Sequence, residues 1–340
     1  MDRIKSLIYV LIFFVVLGFF VWAILPKDNF SDKISEKLKN EKYKADITFK
    51  DATLAEVYDG VKYWELLAKT STINKSLGIT DLKDVDGLFF DKGRPTIKFL
   101  APTAQWFMSK NEIILNSPIG YDIKSEKIIK QELEKVKDIS KLYSVFHLPL
   151  KQGQKYEGYW FEAKKLYWKL STKKLRCTGA ISLTKGDIII NSEKLEADVG
   201  MEKVSLTGHP SAEMLSNGEI IITTADRFLV DSFSDIIIAE NNVTITRSGS
   251  KITTSKSVYN QKENIIELSG DVYLTDNKIT AFAKTASYDV NMGKVVLKEK
   301  AKAKRDGNEL FGEKITVFLG QNRIIIEGRT KAKIMEMEVK

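Results

Sequence analysis

The sequence contains few of the residues from which disulfides, metal sites and chain breaks are made. Its 340 residues include one cysteine, two histidines and six prolines. Cys177 alone cannot form an intramolecular disulfide, and His147 and His209 lie too far apart in sequence to indicate a His/Cys metal site. The motifs G-x-x-x-x-G-K-[ST], G-x-G-x-x-G, H-E-x-x-H and G-x-S-x-G are also absent. The sequence therefore predicts a protein that is not an enzyme and holds no cofactor or metal.

The charge is moderately basic and spread along the chain. The 53 Lys and Arg residues exceed the 45 Asp and Glu residues, which gives a formal net charge of +8. No basic stretch alternates with aromatic residues, so a nucleic-acid partner is not expected. The excess of positive charge is typical of a solvated surface, and it also permits attraction to anionic partners such as phosphorylated glycolipids or a membrane surface.

An uncharged segment from Leu7 to Leu25 predicts a membrane anchor. As a helix it would extend roughly 28 Å, the thickness of the hydrocarbon core of a bilayer. Arg3 and Lys5 precede it, so the N-terminus is expected in the cytoplasm and residues 45–340 outside it. A cleaved signal peptide is the alternative, but the apolar segment is longer than a usual h-region. Residues 27–45 are polar and predict a tether.

The C-terminal half has an internal repeat of about 29 residues. Gly270, Glu299 and Gly328 are spaced at this interval, and Gly179 and Gly208 continue the series towards the N-terminus. Within each unit apolar and polar residues alternate, which predicts strands with one buried face. The predicted fold class is all-β, an extended antiparallel β-jellyroll of stacked strands after the N-terminal transmembrane helix.

Two further features refine this prediction. Ile129, Leu133 and Val136 recur at helical spacing and predict one amphipathic helical insert over residues 124–144. Cys177 occupies the same repeat position as Leu206, which predicts a small buried apolar side chain.

The residues resemble two related families of lipopolysaccharide export. The N-terminal anchor, the tether, the sequence Gly60-x-x-x-Trp64-x-Leu66-x-Ala68 and the stretch Leu166 to Ile181 are similar to LptC. The units from Ser216 to Ile334 are similar to the OstA/LptA family. The resemblance divides the chain into a cytoplasmic stub and anchor at 1–26, the tether at 27–45, an LptC-like β-jellyroll at 46–215 and an OstA/LptA-like repeat segment at 216–340.

The resemblance implies a bridge component of lipopolysaccharide export, held in the inner membrane by a single pass with its large domain in the periplasm. The implied partners are lipopolysaccharide, the permeases of an inner-membrane ABC transporter with their β-jellyroll domains, and either an LptA-like bridge or an outer-membrane LptD-like receiver. The implied mechanism shelters lipid tails in an apolar groove, because each methylene exposed to water costs roughly 0.8 kcal/mol.

The alternation of apolar and polar residues identifies candidates for the lipid groove and for the contacts with partners. The candidates that line the lipid groove are Ile266, Leu268, Val272, Leu274, Val295, Leu297, Ile324 and Ile326. A stacked sheet also leaves unpaired strands at its two ends, where similar domains could add. The candidates for these partner edges are Ile47, Phe49, Leu54, Ile324, Ile325 and Ile326.

Two other functions remain open from the sequence. One is a structural β-solenoid scaffold of the cell envelope that carries no lipid and has a tightly filled interior. The other is a polysaccharide-processing β-helix enzyme, which would need a cluster of carboxylates or basic residues on one exposed face in adjacent repeats, whereas the aligned repeat positions are mostly aliphatic.

Overall fold

The structure, a computed structural model, describes residues 47–91, 93–127, 156–198, 201–231 and 234–333. The predicted anchor at 7–25 and the tether at 27–45 lie outside these residues. None of the helices within the described ranges is long and apolar enough to cross a membrane. All the described strands belong to one compact unit, Asp46–Lys340.

The described part of the chain is an all-β fold, as the alternation predicts. Its strands form one 24-stranded sheet in which every pairing is antiparallel. The strands are β1 Ile47–Tyr58, β2 Val61–Asn74, β3 Ile79–Asp91, β4 Arg94–Phe107, β5 Glu112–Asn116, β6 Ile119–Asp122, β7 Tyr156–Glu162, β8 Lys165–Lys169, β9 Lys174–Gly186, β10 Ile188–Asp198, β11 Lys203–Thr207, β12 Ser211–Ser216, β13 Glu219–Thr224, β14 Arg227–Asp231, β15 Ile236–Arg247, β16 Ser250–Asn260, β17 Ile265–Asp276, β18 Ile279–Asp289, β19 Lys294–Lys298, β20 Lys302–Arg305, β21 Asn308–Phe311, β22 Lys314–Phe318, β23 Arg323–Glu327 and β24 Lys331–Lys333.

The long strands divide the sheet lengthwise into two walls. β15, for example, pairs through residues 244–247 with β13 and through residues 237–240 with β14. Wall 1 contains β6, β7, β12, β13, β20, β21 and β24 with one half of each long strand; wall 2 contains β5, β8, β11, β14, β19, β22 and β23 with the other halves. Each wall is a ladder of hydrogen-bonded strands, and the two ladders are joined where the long strands bend.

The repeat interval in the sequence marks these bends. Gly179, Gly208, Asn241, Gly270, Glu299 and Gly328 all have φ between 61° and 88°. This left-handed conformation favours glycine and asparagine, and it interrupts the ladder between the two walls. At Gly270 the pairing of β17 with β18 shifts register between Ser269 and Val272. The interval of about 29 residues is therefore the length of chain that separates one bend from the next.

Three 3-10 turns are described, Met108–Lys110, Ile123–Ser125 and Leu170–Thr172, and residues 126 and 127 after the second turn are α-helical. In the second turn the Asp122 carboxylate accepts a hydrogen bond of 2.9 Å from the backbone N–H of Ser125. The amphipathic helix predicted at 124–144 is described only over residues 124–127, and its remaining residues lie outside the described ranges.

Alternate residues of each strand point between the walls and form one core. Phe99, Leu166, Leu195, Val272 and Leu297 are each at most 1% exposed. The apolar cluster runs from Leu54 to Val317, so it crosses the boundary at 215/216 that the resemblance suggests. The core therefore follows the whole length of the stacked sheet.

Candidate functional site

The interior between the walls is the largest apolar feature of the described residues. Towards the N-terminal end it is filled by aromatic side chains that reach across from wall to wall. The Trp168 ring of wall 2 lies 5.1 Å from Trp64 and 4.2 Å from Phe89, both of wall 1, in edge-to-face geometry. Such pairs add roughly 0.5–1.5 kcal/mol each to the burial of their surface. The aromatic side chains hold the two walls together here.

Towards the C-terminal end the interior is aliphatic and contains the residues proposed for the lipid groove. Ile266, Leu268, Val272, Leu274, Val295 and Leu297 are each at most 2% exposed and belong to the core cluster. Ile324 and Ile326 are partly buried against it in the last strand of wall 2. The structure thus brings all eight residues to one continuous apolar interior.

A cleft opens into the middle of this interior. It contains about 360 Å³ of empty space, part of it in contact with solvent, and Ile188, Met214, Phe228, Tyr259 and Ile266 are among its lining residues. Ile266 is the one proposed groove residue among them. Away from the cleft, Val272, Val295 and Leu297 are fully buried between the walls.

Along one edge of the interior, the long strands pass from one wall to the other at the bends, so the backbone itself closes that edge. At the opposite edge the hairpin tips of wall 1 meet the turns of wall 2 through polar contacts, which we call the seam. Its wall 1 members are Lys185, Ser216, Asn217, Arg247 and Asp276.

Four groups of hydrogen bonds form the seam. The Lys185 ammonium donates to the carbonyls of Asp231 and Ser234, and the Gln261 amide donates to the Lys185 carbonyl at 3.1 Å. The Asn217 amide donates to the Asn291 carbonyl at 2.7 Å.

Further along the seam, the Arg247 guanidinium donates to the Val290 carbonyl at 2.5 Å and to the Tyr288 hydroxyl at 3.1 Å. The Asp276 carboxylate accepts from the backbone N–H of Gly320 at 3.1 Å. The Glu219 carboxylate also belongs to this group, since it accepts hydrogen bonds from Ser248 and Arg247. These hydrogen bonds lower the pKa of the Glu219 carboxyl.

Sequence reasoning missed the seam, although the sequence carries a signal for it. Lys185, Arg247 and Asp276 each follow an inward apolar residue by two positions, at Leu183, Ile245 and Leu274. A charged residue at an inward position next to a turn must find a partner, because burying it unpaired costs several kcal/mol. The pattern indicates a polar contact but does not identify its partner.

Among the described residues, the two ends of the interior expose apolar side chains, and the proposed partner edges lie there. β1 pairs only with β2 among the described strands, and its Ile47 and Phe49 are 38% and 47% exposed. Their register partners Ile73 and Ser71 are buried, so both side chains belong to the inward face. Leu54, further along β1, is 7% exposed in the core.

At the other end the last strand of wall 2 is β23, which pairs with β22. Its Ile324 and Ile326 lie opposite the buried Val317 and Ile315 and therefore face inward. Ile325 lies on the outer face and is 37% exposed. Each end therefore exposes apolar side chains beside a strand edge.

Cys177 is fully buried between Leu166 of β8 and Leu195 of β10, as its repeat position predicts. Burial raises the pKa of its thiol well above the ordinary value. No group of three or more His, Cys, Asp or Glu side chains within the described ranges could hold a metal ion.

Comparison with known proteins relates the repeats to one family. The family model described as LptA/(LptD N-terminal domain) LPS transport protein matches residues 161–265 and, in a second overlapping match, residues 223–323. Together these matches cover a little under half of the chain. The matches begin in β7 and end in β23, so they include most of the seam and all the proposed groove residues except Ile324 and Ile326.

Solved structures give a weaker similarity, and no curated protein matches the chain. One structure is that of LptH from Pseudomonas aeruginosa, described as the LptA homologous periplasmic component of the conserved lipopolysaccharide transport device. It is 21% identical, with a TM-score of 0.32, and the match covers 34% of this chain and 95% of that one. The family match fits the prediction that the chain is not an enzyme. The stacked repeats between residues 161 and 323 are thus similar to the LptA/(LptD N-terminal domain) family of LPS transport proteins.

Proposed function

We propose that this protein is a bridge component of lipopolysaccharide export, which binds the lipid tails between its two walls and passes the glycolipid towards the outer membrane. The observation that carries the proposal is the continuous apolar interior from Leu54 to Val317 in repeats that match an LPS transport family. A multi-acylated lipid in water exposes many methylenes, each at roughly 0.8 kcal/mol. An interior that continues from strand to strand could shelter the tails along its whole length.

Binding requires the packed interior to rearrange. The cleft beside Ile266 is partly open to solvent and offers little enclosed space, and Leu268, Val272 and Leu297 are buried among other side chains. Acyl chains would therefore replace contacts between the walls with contacts to lipid. This exchange costs little where both contacts are aliphatic, as they are around Leu268, Val272 and Leu297.

Photo-crosslinking at adjacent inward and outward positions tests the proposal. A small diazirine amino acid replaces Leu297, which is fully buried, or its neighbour Val296, which faces outward on the same strand. In cells that make lipopolysaccharide, we expect a glycolipid adduct from position 297 and none from position 296. Leu268 and Glu267 form a second pair of the same design.

A structural scaffold is the second candidate, and the filled interior is the observation that favours it. A folded variant that gives no adduct from either inward position would support the scaffold and contradict lipid carriage. Resistance of the described domain to limited proteolysis, equal to that of the wild-type protein, establishes that each variant is folded.

The proposal also includes an inner-membrane anchor at 7–25, an LptC-like role for residues 46–215, and pairing with the β-jellyroll domains of an ABC transporter. These extend from the resemblance of the N-terminal half to LptC. Protease added to spheroplasts should digest the domain that starts at residue 45. A protected domain, or a mature N-terminus near Ile24, would contradict the anchored form.

A further inference from the structure

The outer face of wall 1 carries a row of aromatic and lysine side chains near its C-terminal end. Backbone register places Tyr273 opposite Phe282, Phe282 opposite Lys302, Lys302 opposite Phe311, and Phe311 opposite Lys331. These five residues, on five neighbouring strands, form one line across the sheet. Tyr273 is 55% exposed and Phe311 is 37% exposed.

A second row runs beside the first and adds more positive charge. It consists of Lys251, Thr275, Thr280, Lys304, Glu309 and Lys333, again joined by backbone register. The two rows, which we call the basic face, hold five lysines and one glutamate. None of the five lysines forms an ion pair with another described residue. Their charge is therefore not neutralised within the fold described.

The aromatic side chains of the basic face are held in place by one another. The rings of Tyr273 and Phe282 lie 4.9 Å apart, and the Lys302 ammonium sits 5.2 Å above the Phe282 ring. A cation over an aromatic ring is favourable even at an exposed site. The pair thus presents apolar surface beside the lysines of the basic face.

The outer face of wall 2 over the same part of the fold is different. There Lys294, Lys298, Lys314 and Arg323 stand among Glu267, Asp289 and Glu327, and Lys314 pairs with Glu327 at 2.6 Å. The charges on that face nearly cancel. Exposure to solvent alone does not account for this difference in net charge between the two outer faces. The positive charge of the basic face therefore indicates a separate role for that face.

We propose that the basic face binds the surface of an anionic phospholipid membrane. Lysines near such a surface are attracted to its negative potential, while aromatic rings enter the headgroup region. The cleft between the walls is lined by none of the basic-face residues, and the polar groups of the face are mostly the ammonium groups of its five lysines. Flexible ammonium groups around a small apolar centre suit a fluid surface better than a ligand of fixed shape.

Contact at this face would bring β24, the terminal strand of wall 1, close to a membrane. The inference concerns the outer surface alone, so it stands independently of lipid carriage between the walls. Membrane contact at the basic face would define how the C-terminal end of the fold is oriented relative to the membrane, which the position of an edge strand alone does not.

The test uses a label that reports on one face of the full-length chain. In a Cys177→Ala background, a fluorophore is attached at Thr275→Cys on the basic face or at Ser287→Cys on the outer face of wall 2. The chain is reconstituted into vesicles that contain spin-labelled lipid, made either of phosphatidylethanolamine and phosphatidylglycerol or of phosphatidylcholine alone. We expect quenching of the label at position 275 in the anionic vesicles, and little at 287 or in phosphatidylcholine.

Charge reversal supplies the matched variants. Lys302→Glu with Lys304→Glu and Lys331→Glu should reduce the quenching at position 275 at least about ten-fold, because each lysine near an anionic surface contributes about five-fold to binding. The control variant makes the same change of charge on wall 2, with Lys294→Glu, Lys298→Glu and Arg323→Glu. It should leave the quenching at position 275 unaltered. Salt of about 0.5 M should weaken the wild-type signal.

Equal quenching at positions 275 and 287, or equal quenching in both types of vesicle, would overturn the proposal. Protection of position 275 by a soluble phosphorylated oligosaccharide or by an acidic protein, without quenching by the vesicles, would assign the basic face to that partner instead. Circular dichroism of both triple variants confirms that these exposed substitutions leave the sheet intact.

Discussion

Arg247 makes three polar contacts in and beside the seam. Its side chain is only 8% exposed, and it donates to the Val290 carbonyl, the Tyr288 hydroxyl and the Glu219 carboxylate. Two of these partners belong to wall 2, while Glu219 belongs to wall 1 and is 42% exposed. The contacts to wall 2 are therefore the ones that connect the walls.

The difference between these partners gives a testable stability effect. We expect Arg247→Met to lower the free energy of unfolding by about 2–4 kcal/mol, because the Val290 carbonyl and Tyr288 hydroxyl lose a charged donor. Glu219→Gln should cost less than about 1 kcal/mol, since its ion pair is partly exposed. Urea denaturation of both variants measures the two values. Equal losses would mean that the pair with Glu219, and not the contact across the seam, carries the stabilisation.

Among the elements, the long bent strand is the unit that the sequence describes best. Alternation of apolar and polar residues correctly predicts the buried face of β17, β18 and β19, because a strand places successive side chains on opposite sides. The repeat interval likewise locates the bends at Gly270 and Gly328, where φ is 86° and 88°. Both signals are local to one or two strands.

The basic face and the seam could not be predicted in this way, because they depend on contacts between strands that are distant in sequence. Tyr273 and Lys302 join one row only after two antiparallel pairings place them near each other. Arg247 reaches Val290 across 43 residues, with no matching period in the sequence. Sequence alternation assigns a side chain to a face, but only the register of every intervening strand assigns its neighbours on that face.

For the whole molecule, the two ends of the described sheet are the most consequential feature. Ile47 and Phe49 expose apolar surface on β1, which has β2 as its one partner among the described strands, and Ile324 and Ile326 are only partly buried on β23. A domain of similar construction could add a strand to either edge and cover the apolar side chains at the same time. Such a contact would continue the interior from one protein into the next.

Opposite faces of β1 provide the matched test of this contact. We expect Phe49→Asp to abolish pull-down of the transporter's β-jellyroll domain, because a charge would then face the shared interior. Thr48→Asp places the same charge on the outer face of the same exposed strand and should leave the association nearly unchanged. Retained binding by Phe49→Asp would show that the interior does not continue through β1, and both variants should keep wild-type thermal stability.

The seam has a consequence for the order of folding. Among β9 to β24, strands that pair within a wall join residues at most 28 positions apart, whereas the seam joins residues 41 to 76 positions apart. Loop-closure entropy opposes such distant contacts until the intervening strands have stacked. Lys185 can therefore reach Ser234 and Gln261 only after β10 to β16 are in register. The seam would then form last as the chain folds. Its hydrogen bonds would be present only in molecules in which the intervening strands have already paired.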